Sequence, residues 1–595
     1  MKTNYFFKVL TTMLLAFLVT NVTAKQFRVA EPATDAELAA VLEQAENGDE
    51  IIISGYIEIT APITVVKNVT FIGENGDPLD DGFDAYGACK LFELNPDPVE
   101  GHKLVFKDLG FFGGYNADDD GGVGRILTGT TEFSNCCFGE SKTLKRGGAF
   151  YIPAPEDGVV NVKFQSCVIE NNIASNRGGA FFITGKNVNT TFEFCKITGN
   201  QTEIDGESRG GGFWIEGGTS YFYYCLIMGN ASGQVGAGGE RGGGAFVTDG
   251  NPGPAITLES CAVWLNTAYG NHGAAFFVMG TPNITLINSS VVQNLTKEGA
   301  GSWFIPSSDC DITLVNTIMT KNIGTNSGNA GGGFRVMNNG NRINLFNSIV
   351  IGNDCDNKEG AIDFGISDKP GIADGFVFKN SIVGLINGID ASVIPAPKDK
   401  AGINGSLINM YSLGGGCNPD WTEMDESGVD FTAQPLKTTG FGMPYYTLKD
   451  ANVYAAKMGD PALLAEYDRS TDMFDKERTV TGGAIFAGPT QSVTGSQQAT
   501  DPDIPVSIKQ VASPDTKENI RIIGASNGIL GVDFGALRGI AKGTLLNVAG
   551  QEVENVFSLN VVGKGYYNIH AAPGMYILKV EIGGKMYAQK FIVTK

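Results

Sequence analysis

Histidine is almost absent. The 595 residues contain three, His102, His272 and His570, far apart and with no HExxH-type pair. That disfavours a His-rich metal or relay site. Charge is sparse and one-sided: charged residues make up 18%, with 43 Lys and Arg against 64 Asp and Glu, a net charge of −21. Such acidity argues against nucleic acid or an anionic membrane as partner. The ten cysteines include no C-x2-C pair, which disfavours structural zinc. Past residue 24 no stretch offers ~20 uninterrupted apolar residues, so the mature chain is expected to have no transmembrane helix. Glycine, by contrast, is abundant. Its 81 residues are about twice the usual share of about 7%, with no G-X-Y period, which excludes collagen. With 42% apolar residues the chain can build a sizeable core.

The first 24 residues, MKTNYFFKVLTTMLLAFLVTNVTA, combine Lys2 and Lys8, a short apolar core and a small-residue site at Val22-Thr23-Ala24. They read as a secretory signal peptide, too short in its apolar part to span a bilayer. A linker rich in Ser, Thr, Gln and Pro spans 488–518. Beyond it, short alternating runs such as Tyr576-Ile577-Leu578-Lys579-Val580, broken by turn pairs such as Pro573-Gly574, predict a small antiparallel β-sandwich over 519–595.

Residues 25–487 carry an internal repeat. One element is Gly-Gly-small-aromatic: Gly147-Gly148-Ala149-Phe150, Gly178-Gly179-Ala180-Phe181, Gly210-Gly211-Gly212-Phe213 and Gly243-Gly244-Ala245-Phe246, continuing more loosely to Phe364. The other is a small residue five positions before Asn: Cys167 and Asn172, Cys195 and Asn200, Cys225 and Asn230, Cys261 and Asn266, Ser289 and Asn294, Thr317 and Asn322, Ser348 and Asn353. Successive Asn residues lie 28, 30, 36, 28, 28 and 31 apart, counted along the sequence. Such a period is one rung of a solenoid. The strand-like composition makes each rung a coil of a right-handed parallel β-helix with two or three short strands, stacked about 4.8 Å apart. The recurring Asn predicts a stack that satisfies corner backbone groups. Cys136, Cys167, Cys195, Cys225 and Cys261 share a slot that Ser289, Thr317, Ser348 and Ser381 fill later, so the slot wants a small inward side chain. Parallel Cβ vectors there are poor disulfide geometry. Cys89, Cys310, Cys355 and Cys417 fall outside it and are free to pair.

Two resemblances follow from these residues. The GGA-type strand followed by the Asn element is similar to repeats of secreted bacterial β-helix proteins, including the polymorphic outer-membrane-protein type of adhesin. The predicted helix from Thr34 to Glu46, N-capped by Thr34 or Asp35, then the strand Glu50-Ile51-Ile52-Ile53, looks like the start of pectin-lyase-like folds. The stretch from Tyr467 to Phe486 resembles their final coil. At the C-terminus LLNVAGQEV, AAPGMYILKV and KFIVTK resemble the C-terminal sorting domain of the type IX secretion system of Bacteroidetes. That resemblance implies the type IX machinery as partner and secretion to the outer cell surface.

Arg146, Arg177, Arg209 and Arg241 recur just before Gly-Gly. Stacked in register they form a ladder that needs acid neighbours, for which Glu170, Glu203, Glu207 and Glu240 are candidates. The functional counterpart of a salt-bridged edge is a basic stripe that binds an acidic polysaccharide or host-surface ligand, with Tyr151 or Trp214 beside it. No hydrolase constellation is legible: His272 fills a slot that is Arg or Asn in other rungs. Asp118-Asp119-Asp120 with Arg125, and Asp80-Asp81 with Asp84, are the dense acid clusters. They read as solvated loops, or as weak Ca²⁺ sites without EF-hand spacing, with Arg125 or Lys103 as the base a lyase would need. No catalytic residue, resident metal or other cofactor is assigned. The expectation is therefore a surface-displayed binding or adhesion protein, and the alternative a polysaccharide lyase or other carbohydrate-active enzyme acting on acidic polysaccharide.

Overall fold

The computed structural model describes residues 24–94, 103–154, 158–203, 208–233, 242–270, 272–296, 301–324 and 332–350. It also describes shorter stretches between 352 and 480 and most of 520–593. Residues 1–23, read above as part of a signal peptide, together with His102, Arg241, Cys417 and residues 488–518, lie outside the described residues. The chain divides into two compact units, Met1–Ile508 and Lys509–Lys595.

The first unit is a parallel β-solenoid. Each complete coil has four strands, not the two or three expected. In one coil they are Val160–Gln165, Val168–Glu170, Ile173–Ala174 and Phe181–Thr184. Among the described residues stacking gives four parallel sheets, here I to IV in that order, of 13, 13, 9 and 12 strands. The sheet III strands are two residues long, too short to show an alternating pattern, which is why the sequence hid them.

The corners explain the period. Between sheets I and II a single left-handed residue turns the chain: Ser166, Phe194, Tyr224, Ser260 and Asn288 all have φ between 50° and 54°. Between sheets II and III Asn171, Gly199, Gly229 and Leu265 do the same. The residue after the first corner is the Cys/Ser/Thr slot, and the residue after the second is the repeated Asn. Seven of these asparagines, Asn172 to Asn353, are fully buried. Asn200 shows the pattern. Its Nδ2 donates to Asn230 Oδ1 at 2.9 Å and to Ile169 O at 3.0 Å, and its Oδ1 accepts from the Asn172 amide at 3.0 Å.

Inside, Phe71, Phe106, Phe133, Phe164, Phe192 and Phe222 stack face to face along sheet I, neighbouring centroids 4.7–5.1 Å apart. A second stack runs along sheet IV, and Phe181 meets Phe192 edge-on at 5.1 Å and 77°. Leu258 continues the sheet I row in register with Phe222, so the row accepts either shape. Phe192→Leu should therefore cost only about 1.5 kcal/mol, the upper end for a volume-conserving core exchange, measured by urea unfolding. A loss above about 3 kcal/mol, typical of Phe→Ala, would mean that the ring stack itself is required.

The coils begin under a helix, Asp35–Gln44, whose N-cap is Thr34 in a capping box with Glu37. Leu38 and Leu42 are buried against the first coil. Lys67 Nζ ends the helix by donating to Leu42 O, Glu43 O and Ala45 O at 2.6, 2.9 and 2.7 Å. The stretch read as a final coil behaves differently where it is described. Tyr467 packs on Ile287, Val315 and Phe346 on the outer face of sheet I. Arg478 Nη2 donates to Asn288 Oδ1 at 3.2 Å, and Asn288 Nδ2 to Thr471 O at 3.0 Å. These residues form a strap across earlier coils.

The second unit is a small antiparallel sheet. The long strand Ile529–Asn547 pairs with Arg521–Ser526, Glu552–Asn568 and Gly574–Ile582, and Gly574–Ile582 pairs with Lys585–Val593. Leu530 and Val532 from one half of the long strand share a core with Ala541 and Leu545 from the other half and with Leu578 and Val580.

Candidate ligand-binding face

Sheet IV strands alternate, so the residue after each inward-facing one, a Phe in most coils, points away from the core. Register aligns these outward residues as Glu93, Arg125, Tyr151, Phe182, Trp214, Val247, Phe277, Phe304 and Arg335. The row is aromatic in its middle and charged at its ends. Phe182, Trp214, Val247, Phe277 and Phe304 are nonetheless buried, as a cluster separate from the main core. Trp214 is buried in this cluster and Tyr151, half-buried, packs against it, both outside the main core.

The arginine ladder roofs this floor. Arg146 and Arg177, and Arg177 and Arg209, pair as neighbouring bridges at the entry to the Gly-Gly corner. Each side chain leans onto the next coil: Arg146 Cζ lies 4.5 Å from the Phe182 ring centre and Arg177 Cζ 4.4 Å from that of Trp214. The slot following Arg209 is held by Gly242. Arg241, expected as the fourth rung, lies outside the described residues. Arg209 reaches past Gly242, with Cζ 5.4 Å from the Phe277 ring and Nη1 3.6 Å from Met279 Sδ. Beyond the gap His272 lies against Phe277 and Phe304, ring centres 4.4 and 4.5 Å away.

The acids differ from those expected. Arg146 is held by Asp120, with Nη2 to Oδ2 at 2.7 Å, Nε to Oδ1 at 3.0 Å and the backbone amide to Oδ1 at 3.0 Å. Glu216 accepts from Trp214 Nε1 at 2.9 Å and Thr184 Oγ1 at 3.0 Å, with Arg177 Nη1 at 3.5 Å. Glu203 pairs instead with Lys142 at 2.7 Å, and Glu170 stands on sheet II. Glu207 and Glu240 lie outside the described residues.

The acidic runs resolve as structure. Asp120 is buried under Arg146, and Asp119 pairs with Arg125 and, at 3.9 Å, with Lys90. Against the upward push of burial, the Asp120 amide, Arg125 and Lys90 hold the Asp119 carboxyl below the ordinary range. Arg125 also faces Glu93 at 3.5 Å. The candidate lyase base is thus locked in an ion cluster, while Lys103 pairs with Glu132 at 3.0 Å on sheet I. Asp81 is buried and organises a turn, accepting from the Gly55 and Asn75 amides at 2.7 and 2.6 Å. Among the described residues no group of three or more His, Cys, Asp or Glu is arranged to hold a metal ion.

The floor residues Phe182, Phe277, Phe304 and Arg335 escaped the sequence reading, although one signal was available. They sit one residue after the inward aromatic of each Gly-Gly strand.

The fold and this face define a class, a parallel β-solenoid with a small C-terminal antiparallel sheet. No family model, no curated protein and no solved structure matches the chain.

Proposed function

We propose that this is an exported, surface-displayed solenoid that binds an acidic polysaccharide along the outer face of sheet IV. The observation that carries the reading is the roof of half-exposed guanidinium groups, one per coil at Arg146, Arg177 and Arg209, stacked on a buried aromatic floor. Stacking and ion pairs fix each planar fork before a ligand arrives, which lowers the ordering cost of binding. Coils repeat at about 4.8 Å, so the stripe suits a linear polyanion lying along the solenoid. Export by the type IX route rests on the C-terminal motifs, and the compact sheet of the second unit supports it. Cells expressing the chain without 509–595 should then retain it inside.

Full-length protein on an array of uronic-acid and sulfated glycans should bind in the presence of Ca²⁺ and of chelator alike, and more weakly at high salt. Arg177→Gln with Arg209→Gln should weaken binding at least tenfold, about 1.4 kcal/mol, with little loss of stability. Arg146 is unsuited to this test, because its removal strands buried Asp120. Unchanged binding by the double variant would refute the stripe. Release of unsaturated sugar products would replace the binding protein with a lyase.

A further inference from the structure

The corner between sheets I and II carries chemistry that the glycan reading does not use. Cys136, Cys167, Cys195, Cys225 and Cys261 occupy it in five consecutive coils, at 0–1% exposure, all as free thiols. Each donates to a carbonyl two residues back and to one in the preceding coil: Cys195 Sγ to Glu193 O at 3.3 Å and Phe164 O at 3.4 Å, Cys225 Sγ to Tyr223 O at 3.4 Å and Phe192 O at 3.3 Å. Ser289 Oγ makes the same pair of bonds, to Ile287 O at 2.8 Å and Leu258 O at 3.3 Å. The thiols therefore do what hydroxyls do in later coils.

Stacking in register sets neighbouring thiols about 4.8 Å apart with parallel Cβ vectors. A disulfide needs Cβ atoms about 3.5–4.5 Å apart and a torsion near ±90°. Thiols two coils apart are separated by about 10 Å, beyond bridging distance. Burial also pushes the Cys167 and Cys225 thiols up, away from the reactive thiolate, and all five are shielded from solvent. Native stacking thus protects the thiols. The unfolded chain has no such protection: successive slots are 28 to 36 residues apart in sequence, a spacing over which loop closure costs little extra.

We propose that assembly of this solenoid is redox-gated by the thiol stack: the coils must stack while these cysteines are reduced, and once stacked they resist oxidation. In the unfolded chain one Cys thiolate attacks a small disulfide such as oxidised glutathione and expels a glutathione thiolate. A second Cys thiolate then attacks the protein sulfur of the mixed disulfide and expels the other. Two protein thiols become one disulfide, and their two protons end on two glutathione thiols. The cross-link joins slots whose side chains must lie parallel, so those coils cannot stack. The inference is independent of any ligand.

The test uses the full chain. In native buffer, iodoacetamide followed by mass spectrometry should label the five stack cysteines at least 100-fold more slowly than in urea. Refolding from urea with oxidised glutathione should yield at least tenfold less native protein than refolding with dithiothreitol. The trapped species should carry disulfides between stack cysteines. A variant with all five changed to Ser should refold equally under both conditions. Fast native labelling, equal wild-type yields, a serine variant that stays sensitive, or trapped disulfides confined to Cys89, Cys137, Cys310, Cys355 and Cys417 would each overturn the proposal. Labelling and disulfide mapping need only the wild-type chain, so they decide the matter even if the serine variant does not fold.

Discussion

Gly179→Ala will not assemble a native solenoid. A Cβ at Gly179 would lie 2.0 Å from Gly211 O in the next coil, 2.6 Å from Gln201 N and 2.7 Å from Gln201 C. All three are backbone atoms, so no rotamer change relieves the clash. Relief requires neighbouring coils to separate, which breaks the bonds from the Gly179 amide to Gly210 O at 2.8 Å and from the Ala180 amide to Gly212 O at 3.0 Å. The expected penalty exceeds about 4 kcal/mol, in the exceptional range for one substitution. Circular dichroism and size-exclusion chromatography should show an aggregated or partly unfolded chain. Gly229→Ala is the control. Gly229, unlike Gly179, has a positive φ, 64°, but the nearest atom to its added Cβ is Thr198 Oγ1 at 3.9 Å. It should fold with a loss of about 1 kcal/mol, the usual left-handed penalty. If both variants fold alike, close approach between coils is not what selects Gly-Gly.

The second large effect is expected at Asn230. Its Oδ1 accepts from the Asn200 amide at 3.1 Å and Asn200 Nδ2 at 2.9 Å, while its Nδ2 donates to Ile197 O and to Asn266 Oδ1, both at 3.0 Å. Asn230→Ala removes all four and leaves the buried Asn200 amide without that acceptor. Each stranded buried group costs about 1–3 kcal/mol, so the total should reach about 3–5 kcal/mol. Because a solenoid couples mainly nearest neighbours, the damage should be local. Hydrogen exchange should rise in the coils of Asn200, Asn230 and Asn266 and stay near wild type at the N-terminal helix. Uniform loss of protection would show that the whole stack unfolds as one unit.

What the sequence revealed depended on side-chain choice. The Asn positions and the Cys/Ser/Thr slot were legible because few residue types satisfy those corners, and both proved to be hydrogen-bonded ladders. Sheet III was not, because Ile173-Ala174 or Gln201-Thr202 is too short to display a period. The slot that pairs with Arg209 is not Arg241, which lies outside the described residues and is followed by three glycines, but Gly242. Counting back from Phe246, the left-handed residue is Gly243 and the slot falls on Gly242. The partners Asp120 and Glu216 come from other corners of neighbouring coils, a proximity that only three-dimensional stacking creates. The aromatic floor was hidden for a related reason. An apolar residue next to an inward Phe breaks the expected alternation, and only the roof of arginines makes its burial sensible.

The strap changes how the solenoid carries load. The chain passes through strands as far along as Leu407–Ile408, yet Tyr467, Thr471 and Arg478 fasten beside Phe346 and Asn288, coils earlier. Tension arriving from residues beyond Arg478 therefore enters the solenoid from the side, near the coil of Asn283–Ile287. The last coils lie off the line of force. A tether attached through the second unit would be held by the well-packed middle of the stack, and under pulling the strap would have to be peeled away before the terminal coils felt any strain.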